Sequence, residues 1–298
     1  MLLNLFKKKI HLLGLGLFFI VSTFSFKNPD ALVKLEKSLL WEISGKGLTK
    51  PSYLYGTIHV ICPADMIMTE KMQAKLKSTE QLSLEIDMDD PNMMFTMLRV
   101  VPMKDGTTLK TLLSEEEYQT LSSYFRQNLN MDLAMVQTWK PIMLTSLLYA
   151  KVADCTPQSY EATFMKMAKE QGKEIIGVET IEDQLAVFDK IPYKKQAEIL
   201  MQSITDMDKG KKEFAQMIAA YKQQDLDGFE KIFKESSQGL DDFADVLLVQ
   251  RNKNWIPVIE REAKEKPTFF AVGAGHLGGE QGVIQLLRQQ GYTVKPVL

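Results

Sequence analysis

The chain has 298 residues, 45% apolar and 25% charged, with 36 Lys and Arg against 38 Asp and Glu for a formal charge of −2. These proportions are those of a folded, water-exposed body, and they exclude a collagen-like repeat, a disordered chain and a polytopic membrane protein. Beyond Lys7–Lys9 there is no basic run, so the electrostatic footprint of a DNA- or RNA-binding protein is missing.

In chain order, residues 1–25 carry three lysines, an apolar run from Ile10 to Val21 and small residues at Ser22, Thr23 and Ser25. That order reads as a secretory signal peptide, the run being shorter than the roughly 20 residues of a spanning helix; extended through Phe26 it would be an uncleaved anchor. Its removal takes three lysines with it and moves the net charge to −5. The expectation is an exported, periplasmic or extracellular protein whose folded part runs over 38–298. Cys62 and Cys155 then read either as one disulfide or as two buried thiols, and spacing alone does not decide between them.

Trp41–Ser44 reads as an edge strand and Tyr53–Val60 as a full one, followed by a helix over Asp65–Ser78 and a strand over Leu82–Asp87. Helices follow at Ser114–Phe125, opening on the capping box Ser114/Glu117, then at Leu133–Lys151 and Ser159–Gln171. After a strand at Glu174–Val178 come helices at Lys195–Ile204, Lys211–Lys222 and Asp241–Ala263, then strands at Thr268–Val272 and Tyr292–Val297. Strands alternating with helices at both ends predict an α/β fold, its central sheet mixed or mostly parallel, with a large, mostly helical insertion over about 90–265.

The chemistry concentrates at strand ends. Of three histidines, His11 lies in the signal segment. His59 closes one strand and His276 follows another, where α/β sheets bind ligands. Both stand in the same local form, Gly56-Thr-Ile-His59 and Gly273-Ala-Gly-His276, with a glycine that permits a tight turn or close backbone approach. A lone histidine of this kind is ordinarily a hydrogen-bonded rim residue; the duplication favours a paired metal site, since neutral imidazole is the commonest protein metal ligand. Glu85 completes the set: Leu82, Leu84 and Ile86 share one face of their strand, and Ser83 and Glu85 the other. On a central strand that carboxylate would need a cation or several donors; on an edge strand it would simply meet water.

Gly273-Ala-Gly-His-Leu-Gly278 also fits G-x-G-x-x-G, but only 20 residues follow Gly278 and none after Glu280 is acidic, which excludes a dinucleotide site. A lone anion on the backbone amides there stays open. Arg251 and Trp255, four apart on a helix, are either an oxyanion or carboxylate clamp, or an arginine lying along an indole. Glu179, after the strand at 174–178, either supports a site or opens a helix as a favourable N-terminal charge. Met66, Met68, Met72, Met88, Met93, Met94 and Met97 either line a peptide groove or fill the core.

Taken together, Leu40-Trp41-Glu, Tyr53-Leu-Tyr-Gly56-Thr-Ile-His59-Val, the Glu85 strand, Gly177-Val-Glu179-Thr with Gln184, Arg251-Asn252 and Phe270-Ala-Val-Gly273-Ala-Gly-His276-Leu-Gly278 resemble the TraB/PrgY/GumN family. That family is related to the Tiki proteases and more distantly to the erythromycin-esterase fold. The resemblance implies an α/β core with His59, His276 and Glu85 gathered at one end of the sheet. Arg251 and Asn252 would act beside Glu85 in catalysis, with Gly56, Gly273 and Glu179 in support. It departs at Asp154-Cys155-Thr-Pro-Gln-Ser-Tyr160, where a Gly-x-Asp turn is expected.

The expected function is an exported metal-dependent hydrolase, a peptidase acting on peptides or secreted proteins with manganese, cobalt or zinc. The alternative is a non-catalytic peptide- or partner-binding protein of the same fold, motivated by the methionine-rich segments. A third reading, a thiol hydrolase on Cys62, conflicts with export, which favours oxidation of the thiol.

Overall fold

The computed structural model describes residues 34–153, 155–236 and 240–298; the segment over 1–25 expected to be a signal peptide, and Asp154, lie outside the described residues. Lys34–Leu298 forms one compact unit. Its centre is a mixed sheet of six strands, β1 (Leu40–Ser44), β2 (Ser52–Thr57), β3 (Gln81–Ile86), β4 (Glu174–Glu179), β5 (Thr268–Gly273) and β6 (Thr293–Pro296), in the order β4-β3-β5-β2-β1-β6. The four strands β4, β3, β5 and β2 run parallel. β1 and β6 add antiparallel, so Trp41–Ser44 is an inner strand rather than the expected edge.

The parallel strands read as near-continuous apolar runs because both of their faces are covered. On one face Tyr55 and Phe269 meet Tyr160 and Phe164 of the helix Tyr160–Glu170, ring centroids 5.4 to 6.2 Å apart. Strand alternation puts Phe270 and Glu85 on the other face. There the helices Gln250–Glu265 and Val283–Gln289 lie, with Trp255, Ile259, Val283 and Leu287 all buried. The insertion builds a second hydrophobic cluster of its own around Leu121, Phe125, Leu144, Leu148 and Leu200.

Several helices differ from expectation for local reasons. Pro141 starts a new helix, Pro141–Val152, and so splits the segment expected over Leu133–Lys151. Asp65–Ser78 divides into a short turn at Pro63–Asp65 and a helix at Glu70–Ser78 capped by Thr69. Asp241–Ala263 begins as a 3-10 turn, passes through a π-helical turn at Asp245–Val249 and becomes α-helical only at Gln250. Helices at Met93–Val100 and Leu226–Ser236 were not expected, and the helix Ile181–Phe188 follows Glu179 as one reading of that segment had it. Among the described residues no helix is long and apolar enough to cross a membrane.

Candidate functional site

All four parallel strands deliver a polar side chain at their carboxyl ends, the edge where such sheets bind ligands. β3 carries Glu85 and lies between β4 and β5, so this carboxylate sits on an inner strand and is 6% exposed. It is satisfied by several donors. Oε1 accepts the Gly273 backbone N–H at 2.9 Å, and Oε2 accepts Arg251 Nη2 at 2.7 Å and Gln184 Nε2 at 3.0 Å. Although burial works against the charge, His276, Arg251, His59 and the Gly273 amide hold the Glu85 pKa far below the ordinary carboxylate range.

The two glycines do what their positions require. A Cβ on Gly56 would stand 3.0 Å from Leu277 Cδ1 and 3.2 Å from the Ala274 backbone, where the turn Ala274–His276 packs on β2. A Cβ on Gly273 would stand 3.1 Å from Glu85 Oε1. Glycine at both sites lets the turn bearing His276 close over the carboxylate.

Each histidine is held at Nδ1 and turns Nε2 inward. Asn252 Nδ2 donates to the Gln281 carbonyl at 2.8 Å, which fixes its amide and leaves Oδ1 to accept His276 Nδ1–H at 2.6 Å. Nε2 of His276 is then an acceptor, 4.0 Å from Glu85 Oε1 and 3.1 Å from Arg251 Nη1. Burial, with Arg251 and His59 nearby, pushes the His276 pKa down to about 3, so the ring is neutral. His59 Nδ1–H donates to Glu161 Oε1 at 3.1 Å, and His59 Nε2 lies 3.9 Å from the same Glu85 Oε1. Desolvation opposes charge on His59, but the Glu161 hydrogen bond and the Glu85 and Glu161 carboxylates outweigh it and raise its pKa to about 9. Its side chain remains 63% exposed and forms the open side of the site.

Glu161 was not expected. It opens the helix Tyr160–Glu170, is buried, and also accepts Thr57 Oγ1 at 2.7 Å and Ser159 Oγ at 2.6 Å. These donors and His59 overcome desolvation and bring its pKa down to about 2. The only sequence signal was Ser159 as a helix cap followed by an acidic first turn, which reads equally as ordinary helix chemistry. The segment that delivers Glu161 is tied to the His59 strand exit by the Cys62–Cys155 disulfide and by a two-way backbone bridge between Ile61 and Gln158. Both cysteines are therefore paired, which removes the Cys62 thiol as a nucleophile.

Arg251 is a buried clamp. Its guanidinium joins Glu85 to Glu179, two of the protein's own carboxylates, and it lies 4.9 Å over the Trp255 ring, an arginine along an indole but buried rather than at the surface. Glu179 also accepts Trp255 Nε1 at 3.0 Å and Gln184 Nε2 at 3.1 Å. Trp255 in turn packs against His276, ring centroids 4.3 Å apart and planes tilted by 40°. Of the seven methionines singled out, Met72 is buried, Met66 and Met68 pack on the core, and Met88 and Met94 are exposed.

For a metal ion, the donors suit in kind: two imidazole nitrogens oriented through Nδ1 by Asn252 and Glu161, and one carboxylate oxygen facing both. The spacing is that of hydrogen-bonded side chains. Among the described residues no three His, Cys, Asp or Glu side chains stand close enough to hold an ion as they are.

Fold and site together define an α/β protein with a histidine–carboxylate cluster at the carboxyl edge of its parallel strands. The chain matches the TraB/PrgY/gumN family over residues 39–296 and belongs to it. It is 22% identical over 317 residues to a protein named metalloprotease TIKI2 of Danio rerio, covering 87% of this chain and 60% of that one. To the metalloprotease TIKI homolog of Nematostella vectensis it is 22% identical over 321 residues, covering 87% and 67%. To the protein YbaP of Escherichia coli K12 it is 26% identical over 244 residues, covering 79% and 87%. The chain thus spans about three fifths of the length of the Danio rerio relative. No solved structure matches.

Proposed function

We propose that this protein is an exported metal-dependent hydrolase that cleaves peptides or secreted proteins. The observation that carries the reading is the convergence of His59 Nε2 and His276 Nε2 on one oxygen of Glu85, at 3.9 and 4.0 Å, with Nδ1 of each ring already engaged. Those three side chains would hold a divalent ion such as manganese, cobalt or zinc, which when bound lowers the pKa of its water and polarises a scissile carbonyl. The names of the Tiki relatives support a metal-dependent protease. The Cys62–Cys155 disulfide and the N-terminal segment over 1–25 support export to the periplasm or the extracellular space.

The chain's own residues do the positioning. Asn252 and Glu161 fix both histidine tautomers, so each presents an unprotonated Nε2 when neutral. Arg251 balances two buried carboxylates; Nη1, the nitrogen not given to a carboxylate, donates to the Leu247 carbonyl at 3.2 Å and lies 3.1 Å from His276 Nε2, so it would turn to a developing oxyanion or a substrate carboxylate once His276 Nε2 takes up the ion. His59, on the open side, is where substrate enters.

The test is cleavage of a secreted-protein digest, followed by mass spectrometry, after chelation and after adding back each metal. Metal-restored cleavage that His59→Ala abolishes supports the reading; unchanged cleavage in His59→Ala contradicts it. Stoichiometric peptide capture without a time-dependent product would instead favour the non-catalytic binding protein, to which the exposed Met94 lends its support.

A further inference from the structure

The helix Met93–Val100 has six apolar residues among its eight and none of them is buried. Met94, Phe95 and Leu98 are 73%, 74% and 71% exposed and share one face at helical spacing, and Met88, in the turn that precedes the helix, is 41% exposed. A helix this apolar ordinarily turns inward, and a contiguous exposed apolar face marks an interaction site. This one is pinned outward. Arg99 Nη2 binds Glu182 Oε1 at 2.7 Å, and the buried Lys140 Nζ donates to the Val100 carbonyl at 2.6 Å while pairing with Asp189 at 3.1 Å.

The helix is joined to the site through its neighbours. Met88 lies three residues past Glu85, within about 10 Å along an extended chain. The neighbouring helix Ile181–Phe188 turns Glu182 to Arg99 and Gln184 to Glu85. The turn before the apolar helix meets the Glu161 helix through Asp89 and Lys169, 3.2 Å apart.

We propose that this face docks an extended peptide segment whose apolar side chains are flanked by lysine or arginine, and leads it toward Glu85 and His59. The charge argument selects the occupant. Glu85 and Glu179 are paired with Arg251, Glu161 with His59 and Asp89 with Lys169, which leaves Asp87 and Asp90 as the acidic groups of the turn beside Met88. These carboxylates repel an anionic bilayer, and in a two-fold contact with a second copy they would face one another. A cationic, apolar peptide satisfies both parts of the surface at once. The proposal names a substrate class for the proposed hydrolase and in that sense rests on it, but docking needs neither metal nor turnover, so the two fail separately.

The experiment is fluorescence anisotropy with a fluorescein-labelled peptide, Lys-Lys-Leu-Phe-Leu-Lys-Lys, and its glutamate counterpart, using the whole protein in chelator. Wild type binds the basic peptide about tenfold or more tightly than the acidic one. The triple variant Met94→Ser/Phe95→Ser/Leu98→Ser loses about tenfold at an unchanged melting temperature. Asp87→Asn/Asp90→Asn loses the preference for lysine. Equal binding by the triple-serine variant, or equal affinity for both peptides, overturns the proposal. So does a preference for phosphatidylglycerol vesicles, or a wild-type dimer that the triple variant dissociates.

Discussion

His59 and Glu161 are 102 residues apart in the chain and share a hydrogen bond of 3.1 Å, one at the exit of β2 and the other in the first turn of the helix Tyr160–Glu170. Glu161 is acceptor-only when charged, so it holds the His59 Nδ1–H and, once the ring is neutral, leaves Nε2 as the unprotonated nitrogen. Glu161→Gln replaces a charged acceptor by an amide that can flip. It is expected to lower metal affinity about 10- to 100-fold, the usual cost of losing such an orienting partner. Titration calorimetry on wild type and variant checks this; equal affinities would reduce Glu161 to a structural role.

Arg251 answers two carboxylates, Glu85 and Glu179, whose side chains are each 7% exposed. Arg251→Met leaves both without their counter-charge, and breaking a buried pair from one side costs about 3–5 kcal/mol. Lysine lacks the planar fork that spans two acids, so Arg251→Lys recovers only part of the loss. Denaturant unfolding measures both variants.

The disulfide and the joint it supports are expected to weaken together. Cys62 and Cys155 close a loop with a sequence separation of 93, and removing such a bridge costs about 2–5 kcal/mol. Cys62→Ser/Cys155→Ser also frees the segment that carries Glu161. Its metal affinity therefore falls as well, even at temperatures where the variant is folded by circular dichroism.

In chelator, stability falls on the acid side. His276 titrates near 6.5 when unfolded and near 3 when folded, so protons bind the unfolded chain first and stability drains as pH falls from about 6.5 toward 3. Glu161, lowered from 4.5 to about 2, adds a second loss that begins near 4.5. His59 works oppositely: its pKa is raised, so its contribution is complete below 6.5 and disappears as pH rises through about 9. Melting temperatures of wild type and His276→Gln across pH test this. The variant should show a shallower fall between pH 6.5 and 4.5, and parallel curves would contradict the assignment.

The sequence disclosed the site where local pattern dictates it. Alternation placed Glu85 opposite Leu82 and Leu84, and the two Gly-x-x-His motifs fell directly at strand ends. Whether β3 was central was not legible, because strand order depends on pairings such as Leu82 with Phe269, 187 residues apart. Glu161 was hidden for the same reason: its partner Thr57 lies on a distant strand, and its own helix turn looks ordinary. The helix at Met93–Val100 escaped notice because eight residues, six of them apolar, are too short a run for helical periodicity to be told from a strand. Its apolar side faces solvent, not the core.

The central claim is that His59, His276 and Glu85 form a metal site. The most direct measurement is calorimetric titration of the purified protein with manganese, cobalt and zinc in turn, beside the variant His59→Ala/His276→Ala. Near-stoichiometric binding of one of these ions by wild type, absent from the double variant, is the predicted result. Equal uptake by both proteins, or none by either, would contradict the account and leave the histidines as structural members of a hydrogen-bonded cluster.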